Sequence, residues 1–114
     1  MGKAWWLNYN VQIDENEITV IENENIKVRV RIDDVIQIDA YKIDLFTTDL
    51  ICLDILTKEL FIMINEDQKN WDENINKLEI KLGKIMVNNW YKEIMLPAFK
   101  ENRTTIWKKN NSHS

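Results

Sequence analysis

Five aspartates recur at every fifth position in the middle of the chain, and carboxylates are the side chains here best suited to chemistry. They are Asp34, Asp39, Asp44, Asp49 and Asp54. Two carboxylates that share a site act as an acid–base pair or hold a divalent cation. A step of five alternates between the faces of a strand, so one strand would not bring all five together. A corner near Thr47-Thr48 would let Asp44 and Asp49 meet, which keeps a carboxylate enzyme or metal protein as the less favoured alternative.

Other catalytic groups are scarce. The one histidine is His113, no serine precedes Ser112, and two glycines cannot build a phosphate-binding loop. The single cysteine, Cys52, lies among Leu50, Ile51 and Leu53 and has no histidine to activate it, which predicts a buried thiol. We therefore predict a protein that is not an enzyme, with no catalytic residues, no cofactor and no metal.

The net charge of −4 hides an asymmetry along the chain. Residues 33–67 carry nine acids and two bases, whereas residues 68–114 carry nine bases and five acids. An acidic half repels nucleic acid and anionic membrane, and it attracts a basic partner. The alternative is that these charges only solvate the faces of strands and helices. With one cysteine and no long apolar run, we expect a cytoplasmic protein without a disulfide.

Two further binding modes stay open. Aromatic and basic residues near the C-terminus resemble a stacking surface for single-stranded nucleic acid, although such aromatics more often belong to a core. They are Trp90, Tyr91, Phe99, Arg103, Trp107, Lys108 and Lys109. An exposed sheet edge would instead support a homodimer. Our prediction is a protein partner, with no nucleic acid and no membrane.

The length of 114 residues predicts a single globular domain over residues 1–108, followed by a flexible tail over 109–114. The hydrophobic pattern predicts an α+β fold. We expect an antiparallel sheet of about five to seven strands, with one main C-terminal helix and a second short helix packed on it. The segment around Trp5-Trp6 is compatible with either strand or helix.

The best strand pattern follows a turn at residues 23–25. Apolar residues alternate there with cations: Ile26, Lys27, Val28, Arg29, Val30, Arg31 and Ile32. If this strand forms a hairpin with the next, at residues 35–45, a three-residue loop keeps the faces consistent. That register pairs Val30 with Ile36 and sets Lys27 opposite Asp39. A second hairpin joins residues 50–56 to 59–64 through Thr57-Lys58, and both of its faces are largely apolar.

The last third of the sequence is helical in pattern. Asn70 and Glu73 fit a capping box, and Gly83 stands where the helix would end. The apolar stripe of this helix consists of Trp71, Ile75, Leu78 and Leu82. A second helix over residues 89–95 would stop before Pro97, and Thr104–Lys108 would form a closing strand.

Two segments carry a resemblance to known proteins: Tyr41-Lys42-Ile43-Asp44 and Pro97-Ala98-Phe99-Lys100-Glu101-Asn102-Arg103-Thr104. Across residues 30–107 the chain resembles a family of small single-domain bacterial proteins. Some of these are similar to the immunity proteins of polymorphic-toxin and contact-dependent growth inhibition systems. The resemblance implies binding without catalysis. Asn70 departs from it, because a turn glycine is expected before the helix tryptophan.

An immunity protein of this kind would neutralise a cognate toxin domain, and a nuclease toxin is often basic because it holds a polyanion. The residues predicted to contact the toxin are Asp33, Asp34, Asp44 and Asp49, with Tyr41 as an aromatic anchor. For each acid the alternative is a solvated turn or a local salt bridge, such as Lys42 with Asp44.

Overall fold

The computed structural model describes residues 9–44, 48–82 and 103–109. They form seven strands and one helix: β1 Tyr9–Ile13, β2 Glu17–Glu22, β3 Asn25–Arg31, β4 Gln37–Asp44, β5 Asp49–Leu56, β6 Phe61–Asn65, α1 Trp71–Leu82 and β7 Thr104–Lys108. The α+β class is confirmed, but the single sheet is wrong. The strands divide into an antiparallel sheet ordered β1-β2-β3 and another ordered β6-β5-β4-β7.

Short turns build the first sheet. Between β2 and β3, both Asn23 and Glu24 have positive φ, 52° and 69°, the backbone of a type I′ turn. Between β1 and β2, Asp14 accepts hydrogen bonds from the N–H groups of Asn16 and Glu17, each at 2.8 Å. These bonds lower the pKa of the Asp14 carboxyl below its ordinary value. The positive φ angles of Asn23 and Glu24 confirm the predicted turn at residues 23–25, after β2.

The predicted hairpin between β3 and β4 is wrong. β3 pairs with β2, and Ile32–Asp34 forms a 3-10 turn that carries the chain into the second sheet. Ile32 and Val35 on this turn are both buried. The parity argument failed because Val30 and Ile38 do face the same core, but across two sheets rather than within one. Lys27 accordingly pairs with Glu22 at 3.9 Å and not with Asp39.

The β5–β6 hairpin is confirmed with a different register. Leu53 lies opposite Ile64 and Ile55 opposite Ile62, two residues away from the predicted pairing. A shift of two keeps every side chain on its predicted face. The turn then spans residues 57–60, where the Thr57 side chain bonds with the backbone of Leu60. The closing strand β7 is also confirmed, and it pairs with β4.

Helix α1 starts at Trp71 as predicted, but its capping box does not form. Asn70 donates from Nδ2 to the carbonyl of Val11 at 2.7 Å, and Oδ1 accepts nothing from the described residues. Glu73 instead pairs with Lys77 at 3.1 Å. The N-terminal end of the helix is thus tied to strand β1 rather than to itself.

The main core lies between the two sheets, and α1 contributes Trp71 and Leu78 to it. A smaller buried cluster of Leu50, Cys52 and Met63 lies on the outer face of the second sheet. The largest fully buried apolar side chains include Ile13, Ile38 and Leu53. The predicted second helix, Gly83 and the Trp5-Trp6 segment lie outside the described residues, as does the chain from residue 110. Within the described ranges no helix has the length and apolar character needed to cross a bilayer.

Candidate functional site

The outer face of the second sheet, turned away from the main core, carries a group of interacting polar side chains. We call it the Arg103 cluster, and its members are Gln37, Asp39, Tyr41, Asp54, Arg103 and Thr105. β4 and β5 place Asp39 directly opposite Asp54. Two carboxylates facing each other across a ladder repel, so this arrangement needs a cation.

Arg103 supplies that cation from the residue just before β7. Its Nη2 donates to Asp54 Oδ2 at 2.7 Å, and its Nε lies 3.4 Å from Asp39 Oδ2. The guanidinium carbon also stands 4.7 Å from the centre of the Tyr41 ring, a cation–π arrangement. One planar guanidinium therefore bridges both carboxylates and stacks on an aromatic ring, which a lysine would not do.

The remaining carboxylate oxygens are also engaged. Tyr41 donates its hydroxyl to Asp54 Oδ1 at 2.9 Å. Gln37 Nε2 and the Thr105 hydroxyl both donate to Asp39 Oδ1 at 2.8 Å. All four oxygens of the two buried carboxylates thus have a partner, as buried charges require.

Burial and charge set the proton affinities here. Burial, reinforced by the nearby Asp54 carboxylate, raises the pKa of the Tyr41 hydroxyl above its ordinary value. The same two causes raise the pKa of the adjacent Cys52 thiol to about 12. The hydrogen bond to Asp54 raises the pKa of Arg103. At neutral pH the phenol and the thiol are therefore protonated, and neither is an activated nucleophile.

The cluster is better suited to hold side chains in place than to move protons. Its carboxylates are saturated, while Arg103 reaches solvent with 49 % of its side chain exposed. Among the residues that the structure describes, no three His, Cys, Asp or Glu side chains are grouped to hold a metal ion. What the arrangement offers is a rigid surface that presents arginine and tyrosine.

The predicted contact residues do not form one patch. Asp33 and Asp34 lie in the turn before β4, where Asp33 is 3.6 Å from Arg31. Asp44 and Asp49 pair in register at the other end of the β4–β5 ladder, about 20 Å away along the strand. The carboxylate of Asp49 is directed to the buried Lys42 at 3.4 Å. Of the predicted residues, Tyr41 alone belongs to the Arg103 cluster.

Sequence reasoning missed the cluster itself. Asp39 and Asp54 stood in the aspartate series and Arg103 in the basic stretch, but nothing local joins residues 49 or more positions apart. One usable signal was Asp54, a charge inside the apolar strand Asp49–Leu56. A carboxylate in that setting requires an internal cation.

Comparisons with family models, with curated proteins and with solved structures gave no match to this chain.

Proposed function

We propose that this chain is a non-catalytic, cytoplasmic immunity protein that binds and neutralises a cognate toxin domain. The observation that carries the proposal is the saturation of the Arg103 cluster, which leaves a rigid surface and no free acid or base there. The immunity role itself rests on the resemblance of the Tyr41–Asp44 and Pro97–Thr104 segments.

The outer face of the second sheet is the contact surface we favour. Phe61, 64 % exposed, lies opposite Leu56, which in turn lies opposite Gln37 of the cluster. Phe61 therefore stands in the row beside Asp54 and Asp39, on the same face as Arg103 and Tyr41. Exposed aromatic and arginine side chains on a rigid base are typical anchors of protein interfaces.

The charge of this surface is balanced. Asp39 and Asp54 carry two negative charges, Arg103 carries one positive charge, and the exposed Lys108, which lies opposite Gln37, adds a second. The exposed anchors, rather than a net field, would therefore orient a partner at this surface. The predicted acids Asp33 and Asp34 lie at a separate end of the molecule, so we assign them at most a peripheral contact.

The proposal predicts that a neighbouring gene encodes a toxin, and neutralisation of that toxin is its test. Co-expression of this chain should restore growth to cells that produce the toxin's C-terminal domain, and calorimetry should show a direct complex. Phe61→Ala should weaken the complex at least about tenfold, as expected for a central anchor. Ile80→Ala is the matched control, because Ile80 is 82 % exposed on α1, away from this face. A chain that neither binds nor protects would contradict the proposal.

A double variant distinguishes the Arg103 cluster from the acidic turn between β3 and β4. Reversing charge at Asp33 and Asp34 should leave binding within about threefold, since rim charges contribute little. If that double variant abolished binding while Phe61→Ala had no effect, the interface would lie at the β3–β4 turn instead.

A further inference from the structure

The two edge strands of the first sheet, β1 and β3, differ in what covers their outer edges. Along β1, Asn74 donates from Nδ2 to the carbonyl of Val11 and accepts at Oδ1 from the N–H of Ile13, at 2.8 and 3.2 Å. Asn70 donates to the same Val11 carbonyl. Side-chain amides thus occupy the β1 edge as a neighbouring strand would. No described strand or side-chain amide covers the outer edge of β3 in this way.

The hydrogen bonds between β2 and β3 show which backbone groups of β3 point toward β2 and which point outward. The N–H of Ile32 bonds to the carbonyl of Asn16 at 2.9 Å, on the β2 side. Backbone groups alternate along an antiparallel strand, so Val30 and Val28 also face β2. The N–H and C=O groups of Arg29 and Arg31 consequently point away from the sheet, available to an added strand. The alternation stops at Lys27, which is the extra residue of a register shift opposite Val20 and Ile21.

A groove of about 570 Å³ runs beside this edge. The turn at residues 57–60 forms its far wall, and Lys109 closes one end by donating from Nζ to the Asp33 carbonyl at 2.7 Å. Its apolar lining is half-buried and comprises Val28, Val30, Ile36 and Leu60. One face of an added strand would therefore meet aliphatic side chains.

The other face of an added strand would meet cations. Lys27, Arg29 and Arg31 are exposed on the opposite side of β3. Lys27 and Arg31 also form exposed pairs with Glu22 at 3.9 Å and with Asp33 at 3.6 Å. Exposed pairs of this kind contribute little, so the acids of a partner can compete for these cations. A second copy of β3, paired antiparallel, would set these cations against the same cations, which is unfavourable. A homodimer through this edge is thus disfavoured, and a segment with alternating acidic residues fits.

We propose that the β3 edge is a docking site for an extended segment of a partner protein in which acidic and aliphatic residues alternate. The segment adds as a fourth strand, with its acids facing Lys27, Arg29 and Arg31 and its aliphatic residues in the groove. This surface is separate from the Arg103 cluster, so neither proposal requires the other.

Cations on an edge strand also protect against aggregation, and the test must separate that role from docking. The probe is a short capped peptide in which Glu and Val alternate. A peptide alternating Lys and Val, and a Glu and Val peptide arranged in blocks, are the controls. Two-dimensional NMR with amide exchange shows which backbone N–H groups the peptide protects.

The alternating acidic peptide should bind, and added salt should weaken its binding. It should protect the amides of Arg29 and Arg31 but not those of the β1 edge. Arg29→Pro removes an outward N–H and should weaken binding about tenfold or more. The triple variant Lys27→Gln, Arg29→Gln, Arg31→Gln keeps the backbone and should lose the preference for the acidic over the Lys and Val peptide. If Arg29→Pro does not fold, the triple variant still tests whether the β3 cations select the acidic peptide.

Three results would overturn the docking site. One is equal binding of the acidic and basic alternating peptides. Another is no protection of the Arg29 and Arg31 amides at saturating acidic peptide. The third is a concentration-dependent homodimer, seen by sedimentation, that protects these amides without any peptide.

Discussion

Strand β4 contributes to two charged centres that lie on opposite faces of the second sheet and differ in their access to water. On the inner face, Lys42 is 1 % exposed and pairs with Asp49, which is 11 % exposed. On the outer face, Asp39 joins the Arg103 cluster, whose arginine is half exposed. The inner centre is sealed in the interior, and the outer one opens to solvent.

The two centres use similar charged groups, but their different exposure to water gives them different roles. A buried cation costs several kcal/mol to desolvate, so the inner pair is tolerated only while both charges are present. Such a pair commits the β4–β5 ladder to one arrangement but presents nothing to a partner. The outer cluster shares its charges among several hydrogen bonds and keeps one polar edge in water. Only that centre is placed to be part of an interface.

Asp49→Asn tests the inner centre and should have the largest effect. It removes the carboxylate charge of Asp49 from beside the buried Lys42 ammonium, which should cost about 3–5 kcal/mol in the free energy of unfolding. Denaturant titration at neutral pH measures the loss. The double variant Lys42→Met, Asp49→Asn should recover most of it, because no unpaired charge is then buried. A cost below about 1 kcal/mol for Asp49→Asn would contradict this account of the inner pair.

Arg103→Met is the corresponding change in the outer centre. Two opposed carboxylates lose their shared donor, and we expect about 2 kcal/mol of destabilisation because water screens the half-exposed site. Arg103→Lys should cost roughly half as much, since it keeps the charge but not the bidentate geometry. Lys77→Met, which breaks an exposed pair with Glu73, should cost at most about 0.5 kcal/mol. Equal losses for all three variants would show that the cluster has no special geometry.

Alkaline pH should reveal the burial of the Cys52 thiol, whose effect on the pKa is reinforced by the nearby Asp54 carboxylate. Its thiol pKa is raised from an ordinary value near 9 to about 12. The unfolded chain therefore loses this proton first, and the stabilisation present below pH 9 is lost as pH rises toward 12. Between pH 8 and pH 10 the native protein should lose about 1 kcal/mol more than Cys52→Ala. Parallel urea titrations at both pH values measure the difference, and identical pH profiles would contradict it.

Among these four tests, Tyr41→Phe should give the smallest change in the free energy of unfolding. It removes the donor to Asp54 Oδ1 but leaves the ring beneath Arg103 and the Arg103 bond to Oδ2. We expect a loss of about 0.5–1 kcal/mol, the usual net value of one hydrogen bond. Thermal unfolding measures it. A loss as large as that of Arg103→Met would mean that the hydroxyl, and not the guanidinium, organises the cluster.

Local patterns in the sequence were sufficient for much of the fold. Alternation separated Val28 and Val30 from Arg29 and Arg31, and the valines pack against the core while the arginines are exposed. The same parity survived the register error in the β5–β6 hairpin, because a slip of two residues restores the period of a strand. The start of α1 at Trp71 also followed from its apolar stripe.

The candidate site was much less predictable. Tyr41 was named, but as an anchor inside an acidic patch that the structure splits between the two ends of β4. Asp39 was predicted to face Lys27, and it faces Arg103 instead. Ion pairs leave no periodic pattern in the sequence. The same charged residues can therefore be paired in many ways until the strand order is known. The strand order was unknown because a parity rule cannot distinguish neighbours in one sheet from strands facing across a core.

By itself the sequence determined which side chains turn inward, where the tight turns fall and which nucleophiles are lacking, because these depend on residue type and on neighbours a few positions away. Only the tertiary structure decided that no described strand covers the outer edge of β3, that Asn70 and Asn74 cover the edge of β1, and that Arg103 joins Asp39 to Asp54. The contacts of Asn70, Asn74 and Arg103 span 49 to 64 residues. They exist because two sheets pack over a shared core, which depends on residues far apart in the sequence.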